Sequence, residues 1–385
     1  MDETRVEPRN VAMDDALTLL HGALHQEACL RTLTPALDSL PSDTQPVRDL
    51  LPDLCSRVRS AFEKLTALAE TDEVASVLLA SVLCRHRLSK GLVSDEAAAA
   101  GVFRHATATA EHSHLGLYLV GCAYLDGLGV AKDHERAAKL LNQAAEQGSA
   151  AAKCSLSFCY EKGLGLKSDD ARARQLLRES ADLGYAVALF KLGCCHEYGI
   201  LSTEVRPEEA HRLYAEASKQ GHPAAMAQLG KSFSNGVGVA VNKAEACRWF
   251  QCAVEAGDRD GMHLLALAYR YGEGVEADTT RAVELYRQSG DLGQPQALYN
   301  LGCCYMNGTG VQRDPAAAVD CYRRAAAKGD MDAHVNLAKC LLTGDGVAPD
   351  QAEAQNLLMR AAEHGHPVGR SFAQFHKMVH PAPGM

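Results

Sequence analysis

The sequence predicts an all-α fold, a right-handed α-solenoid (superhelix) of about seven to eight 36-residue helix–turn–helix repeats with a helical N-terminal cap. Three observations carry this. Glycines recur in register along the chain, Asp or Asn stands at one fixed place in nearly every period, and apolar residues repeat at helical spacing between them.

The first glycine column is Gly148, Gly184, Gly221, Gly257, Gly293, Gly329 and Gly365, at steps of 36 residues with a single 37. Each of these ends a helix, where a left-handed residue favours glycine. A second column runs Gly127, Gly163, Gly199, Gly236, Gly272, Gly308 and Gly344, and a third sits two residues after it. The third is missing only where GILSTEV inserts one residue. The resulting G-x-G forms a tight turn between two helices.

After each turn a helix begins. Asp133, Asp169, Asn242, Asp278, Asp314 and Asp350 occupy the capping place, and an N-cap carboxylate or amide is worth about 1 kcal/mol. Pro315 and Pro207 follow at the first helical position, which suits proline. Arg206 breaks the column in the unit that carries the insertion.

In this second helix of each unit, Ala137, Ala173, Ala210, Ala246, Ala282, Ala318 and Ala354 form an unbroken small column. Large residues follow three later, such as Leu140, Leu213 and Trp249, and small ones seven later, such as Ala144 and Ser180. That spacing predicts one buried face. The first helix carries Val120, Leu156, Leu192, Leu229, Leu265, Leu301 and Leu337, each followed by a small residue, often glycine. Helix-interior glycine costs about 1 kcal/mol against alanine, so its recurrence predicts a side chain from another helix pressing on the backbone. An aromatic column, from Tyr124 and Tyr160 to Tyr269 and Tyr305 with His196 among them, follows four residues after the large one.

The unit QALYNLGCCYMNGTGVQRDPAAAVDCYRRAAAKGD, Gln296 to Asp330, closely resembles the Sel1-like repeat, a relative of the tetratricopeptide repeat. The resemblance spans residues 115–367. Gly91 precedes Gly127 by one period, which suggests a degenerate unit. The domain reading is therefore an N-terminal helical cap at residues 1–71, a repeat solenoid at 72–367 with a degenerate unit at 72–114, and a C-terminal capping helix and tail at 368–385.

Composition narrows the function. The 385 residues carry a net charge of −9, with no basic stripe for nucleic acid or an anionic membrane. No run of 18 apolar residues offers a membrane span, and the N-terminus has no signal-peptide pattern. The expected compartment is cytoplasmic or nuclear. The 14 cysteines include no C-x-x-C and read mainly as small, buried, reduced thiols, with a few disulfide bridges as the alternative. His364 and His366 read as solvated turn histidines, and His196 as a packed one. No nucleophile elbow, P-loop or zinc-protease motif occurs. The expectation is no catalytic residue, no cofactor, no metal site and no enzyme activity.

The resemblance implies a scaffold or adaptor that binds other proteins or peptides on the concave face, lined by the first helix of each unit. Positions that touch ligands in the related tetratricopeptide fold map to Tyr118, Phe158, Phe190, Glu197, Lys231, His263, Arg270, Tyr299, Met306 and Lys339. The alternatives are a redox- or stress-responsive oligomerising assembly protein, with self-association possible, and a hydrolase.

Overall fold

The computed structural model describes residues 114–127 and 130–379. The expected N-terminal cap and degenerate unit lie outside the described residues, as do the last six. Fifteen α-helices of thirteen residues each occupy the described part, with one short 3-10 turn and no strand. They are α1 (His114–Asp126), α2 (His134–Glu146), α3 (Ala150–Lys162), α4 (Asp170–Asp182), α5 (Ala186–Tyr198) and α6 (Pro207–Lys219). There follow α7 (Pro223–Asn235), α8 (Lys243–Glu255), α9 (Arg259–Tyr271), α10 (Thr279–Asp291) and α11 (Pro295–Asn307). The last are α12 (Pro315–Ala327), α13 (Met331–Thr343), α14 (Gln351–Glu363) and α15 (Pro367–Val379). Odd numbers are first helices of a repeat and even numbers second helices.

The caps form as their residue types dictate. Asp133 has extended backbone, and its carboxylate accepts from the Arg136 N–H at 2.9 Å. Asp169, Asn242, Asp278, Asp314 and Asp350 repeat the bond. Five of these six residues also donate their own N–H to the carbonyl of the aromatic column, as Asp314 does to Tyr305 at 2.9 Å, and Asp350 donates to Leu341 at the same place. One residue thus closes the turn behind it and caps the helix ahead. First helices have a separate set of caps directly after the terminal glycine: Ser149, His222, Asp258, Gln294 and Asp330. The capping column found in the sequence does not contain them.

The third glycine column has a steric cause. Gly310 has φ +70°, and a Cβ on it would fall inside the Thr279 carbonyl of the preceding repeat. The unit with the inserted residue meets its neighbour differently. Leu201 and Ser202 take φ of 55° and 53°. Arg174 of α4 donates to both their carbonyls, at 2.8 and 2.9 Å. A side-chain clamp replaces the backbone contact there.

The chain divides into two compact units, Met1–Leu213 and Tyr214–Met385. In the first, α1 to α5 pack each on the next, around Leu117, Leu141, Leu156, Cys159 and Leu176. In the second, α7 to α15 do the same. Its core runs from Phe250, Leu265 and Tyr286 to Tyr322, Leu337 and Leu341.

Second helices bury the alanine column and the small column seven residues on, as expected. Ser180 and Ser289 of that small column donate to the Ala150 and Arg259 carbonyls at 2.6 and 2.7 Å, which satisfies their buried hydroxyls. The large column is buried at Leu176, Leu213, Leu285 and Cys321, as expected, but not at every repeat. Leu140, Trp249 and Leu357 are only half-buried. The next residue is buried in every repeat: Leu141, Leu177, Tyr214, Phe250, Tyr286, Tyr322 and Leu358. These are the side chains that press on the first helix, as Phe250 does on Gly230 and Tyr322 on Gly302.

His196 is buried, with Nδ1 bonded to the Glu204 carbonyl at 3.1 Å. His366 departs from the solvated reading, because Nε2 meets the Asp332 carboxylate at 3.1 Å and the side chain is largely covered. The link after Gly365 is short, so His366 lies against the start of α13. His364 is exposed.

Candidate functional site

First helices of successive repeats touch: α1 with α3 and α3 with α5 in the first unit, and α7 with α9 in the second. Their invariant large residues point inward. The positions two before, two after and five after remain on a face of mostly half-buried side chains.

In the first unit, Tyr118, Phe158, Phe190 and Glu197 are half-buried on α1, α3 and α5. The Lys191 ammonium of α5 stands 5.5 Å from the centre of the Phe158 ring, a cation–π contact between adjacent repeats. Burial pushes the Tyr118 hydroxyl well above the ordinary phenol range, with Cys122 and Tyr185 adding to it.

In the second unit, Lys231, His263, Arg270, Tyr299 and Met306 are half-buried and Lys339 is exposed. The structure brings two of them together through a third residue. Arg270 donates to the Asn300 side-chain oxygen at 3.3 Å, and the Asn300 amide lies 3.1 Å from His263 Nε2. That bond makes His263 Nε2 the acceptor, so the proton of the neutral ring sits on Nδ1. Burial lowers the His263 pKa, in keeping with a neutral ring. Further along, Tyr322 OH donates to the Cys303 sulfur at 3.5 Å, and the Asn336 amide approaches it at 3.9 Å. Tyr299 leans on Tyr322 with ring centres 6.1 Å apart. Its hydroxyl is pushed up to about 12 by burial, then by Cys303. Met306 joins the apolar cluster of α12 and α13, and its carbonyl accepts from Arg313 at 3.0 Å. Among the described residues Lys231, Arg270 and Lys339 enter no ion pair.

A pocket of about 130 Å³ opens between α7, α8 and α9, with Lys231, Phe250, Leu264 and Leu267 among its lining side chains. The sequence reading missed Lys191, Asn300 and Asn336, which share the position just before the large apolar column. The signal was available, since two successive repeats carry Asn there.

All eleven cysteines of the described residues are free thiols. Cys159, Cys195, Cys304 and Cys340, at the second position after the leucine and its small neighbour, are buried. Among the described residues no three His, Cys, Asp or Glu side chains are grouped to hold a metal ion. No described helix is long and apolar enough to cross a membrane.

Stacked helix pairs joined by glycine turns, with an open face of varied half-buried side chains, define a helical-repeat protein. The chain belongs to the Sel1 repeat family, with seven Sel1 repeats matched at residues 114–149, 150–185, 186–222, 223–258, 259–294, 295–330 and 332–366. It is similar to a protective antigen of uropathogenic Escherichia coli that displays an SLR fold, at 27% identity and TM-score 0.56 over 83% of this chain and 68% of that one. It is also similar to a Sel1 repeat protein from Oxalobacter formigenes, at 28% identity and TM-score 0.58 over 64% of this chain and 96% of that one. No curated protein matches the chain. Sel1 repeat proteins are generally protein-interaction scaffolds without enzymatic activity.

Proposed function

We propose that the protein is an adaptor of the cytoplasm or nucleus that binds partner proteins or peptides on the concave face made by its first helices. One observation carries this reading. The packing columns repeat almost unchanged, whereas the face columns change chemistry from repeat to repeat. One face position holds Ala227, His263, Tyr299 and Val335; another holds Lys231, Leu267, Cys303 and Lys339. Side chains that serve packing alone converge on one size and polarity. A face that reads an extended partner needs a different contact at each step, with aromatic and Met anchors among them. Residues 1–71 and 368–385 would cap the two ends, so that partners meet the face and not the exposed end of a repeat.

The test is site-specific photo-crosslinking in cells. A benzophenone side chain at Phe158 or Met306 should capture partners, and the same group at Arg178 or Arg248, exposed on second helices, should not. Equal or stronger capture from the second helices would overturn the assignment of the face.

A further inference from the structure

The second unit adds a chemical preference. The pocket between α7, α8 and α9 is lined by apolar Phe250, Leu264 and Leu267 and by charged Lys231, Lys243 and Glu273. Lys243 is already engaged, with its ammonium 2.8 Å from the Glu273 carboxylate and 3.1 Å from the Ser234 hydroxyl. Lys231 enters no ion pair among the described residues. On α9 the Arg270 guanidinium meets neutral groups, the Asn300 amide, the Tyr286 hydroxyl and the Tyr271 ring 5.3 Å away. On α13 Lys339 is exposed and likewise enters no ion pair. The three face positions of the four repeats in this unit therefore hold three cations and no carboxylate.

The nearby acids are spent elsewhere. Asp332 meets His366, and Asp260 accepts from Gln294 at 2.6 Å. A half-buried guanidinium held by neutral groups keeps donors free in the fork geometry that suits a carboxylate. Like-charged positions spread over successive helices steer an extended polyanion better than a point ligand.

We infer that this face takes an acidic peptide segment of a partner protein, with one aliphatic or aromatic side chain in the pocket and carboxylates at Lys231 and Arg270. The inference rests on the scaffold reading and adds the chemistry of the partner. The net charge of the whole chain is negative, so this attraction is local to the face and is weakened by salt.

The test pans a phage-displayed random dodecapeptide library against the full chain. Fluorescence anisotropy of the enriched peptides then compares wild type with Lys231→Glu, Arg270→Glu and the second-helix control Arg248→Glu. Circular dichroism melting checks that each variant folds, and Lys231→Gln and Arg270→Gln replace any reversal that does not. The expected result is enrichment of Asp and Glu beside Leu, Ile or Phe, with binding weakened about tenfold by either face reversal and unchanged by the control. Peptides that bind the face without acidic residues, or that ignore both reversals while Met306 cross-links persist, overturn the inference and leave the scaffold reading intact. Failure of any peptide to enrich, together with loss of the Met306 cross-links, overturns both.

Discussion

Ring carbon Cε1 of Tyr322 lies 2.6 Å from the point where a Cβ on Gly302 would stand. The glycine of a first helix and the buried ring of the second helix are thus one packing unit. This contact explains why small residues recur beside the large apolar column. Tyr322 is 2% exposed, so the ring has no open space to move into.

Gly302→Ala should therefore destabilise the chain by about 1–2 kcal/mol, even though alanine gains about 1 kcal/mol in helix propensity. In a Tyr322→Leu background the same change should be close to neutral, because the smaller side chain yields. A double-mutant cycle by urea denaturation measures the coupling. Additive effects would show that the ring and the glycine are independent.

Gly310 and Gly329 both have positive φ, yet they differ in surroundings. A Cβ on Gly310 would strike the Thr279 backbone, while one on Gly329 would meet nothing within 4 Å. Gly329→Ala should cost about 1–2 kcal/mol of left-handed strain. Gly310→Ala should cost clearly more, because two repeats must separate, and it should lower the thermal midpoint further in a side-by-side melt.

Asp330 caps α13 from a buried position, accepting from the Ala333 N–H at 2.8 Å. Burial raises its pKa. Asp330→Ala should lose about 1 kcal/mol with the cap, whereas Asp330→Asn keeps an oxygen acceptor and removes a buried charge, so it should match or exceed wild type at neutral pH. The sign with pH follows from the raised value. Its favourable contribution is complete below the unfolded carboxylate pKa and is lost as pH rises through the folded one. Wild type should thus gain on Asp330→Asn as the solution is acidified, as read from denaturation curves at neutral and acidic pH.

Cys321 is buried, and burial is the main cause that pushes its thiol up to about 12 from an ordinary 9.0. A thiol whose folded pKa is raised stabilises the fold fully below the unfolded value, and that contribution fades as pH climbs from about 9 to about 12. Stability should fall through this window, and Cys321→Val should make the fall shallower by up to about 1.4 kcal/mol per pH unit. Urea titrations at about pH 8 and about pH 10 would show it. Unchanged slopes would mean that Cys321 does not titrate differently in the fold.

Much of the fold was legible because repetition exposes whatever a chain needs at every period. The caps from Asp133 to Asp350, the left-handed glycines and the buried alanines each answer a local backbone or steric demand, and such demands leave the same letter in every copy. The large column was placed correctly at Leu176, Leu213, Leu285 and Cys321, but the residue after it, which is buried in every repeat, was overlooked. Trp249 and Phe250, or Leu140 and Leu141, are both apolar, and a helical spacing of three or four fits either; only the position of the neighbouring helix chooses between them. The first-helix caps were hidden for a related reason, since Ser149, His222, Asp258, Gln294 and Asp330 all supply an acceptor but share no single letter. His366 was misjudged because its partner, Asp332, lies 34 residues away, at the start of α13.

Periodicity alone determined that this chain forms paired helices of one length joined by glycine turns, since hydrogen-bond capping and backbone sterics act within a few residues. Which side chain fills each interface was decided by packing between helices, as were the Asn300 link between Arg270 and His263 and the cations left without carboxylates. Those outcomes depend on distances between segments some 30 to 37 residues apart, and no local pattern encodes them.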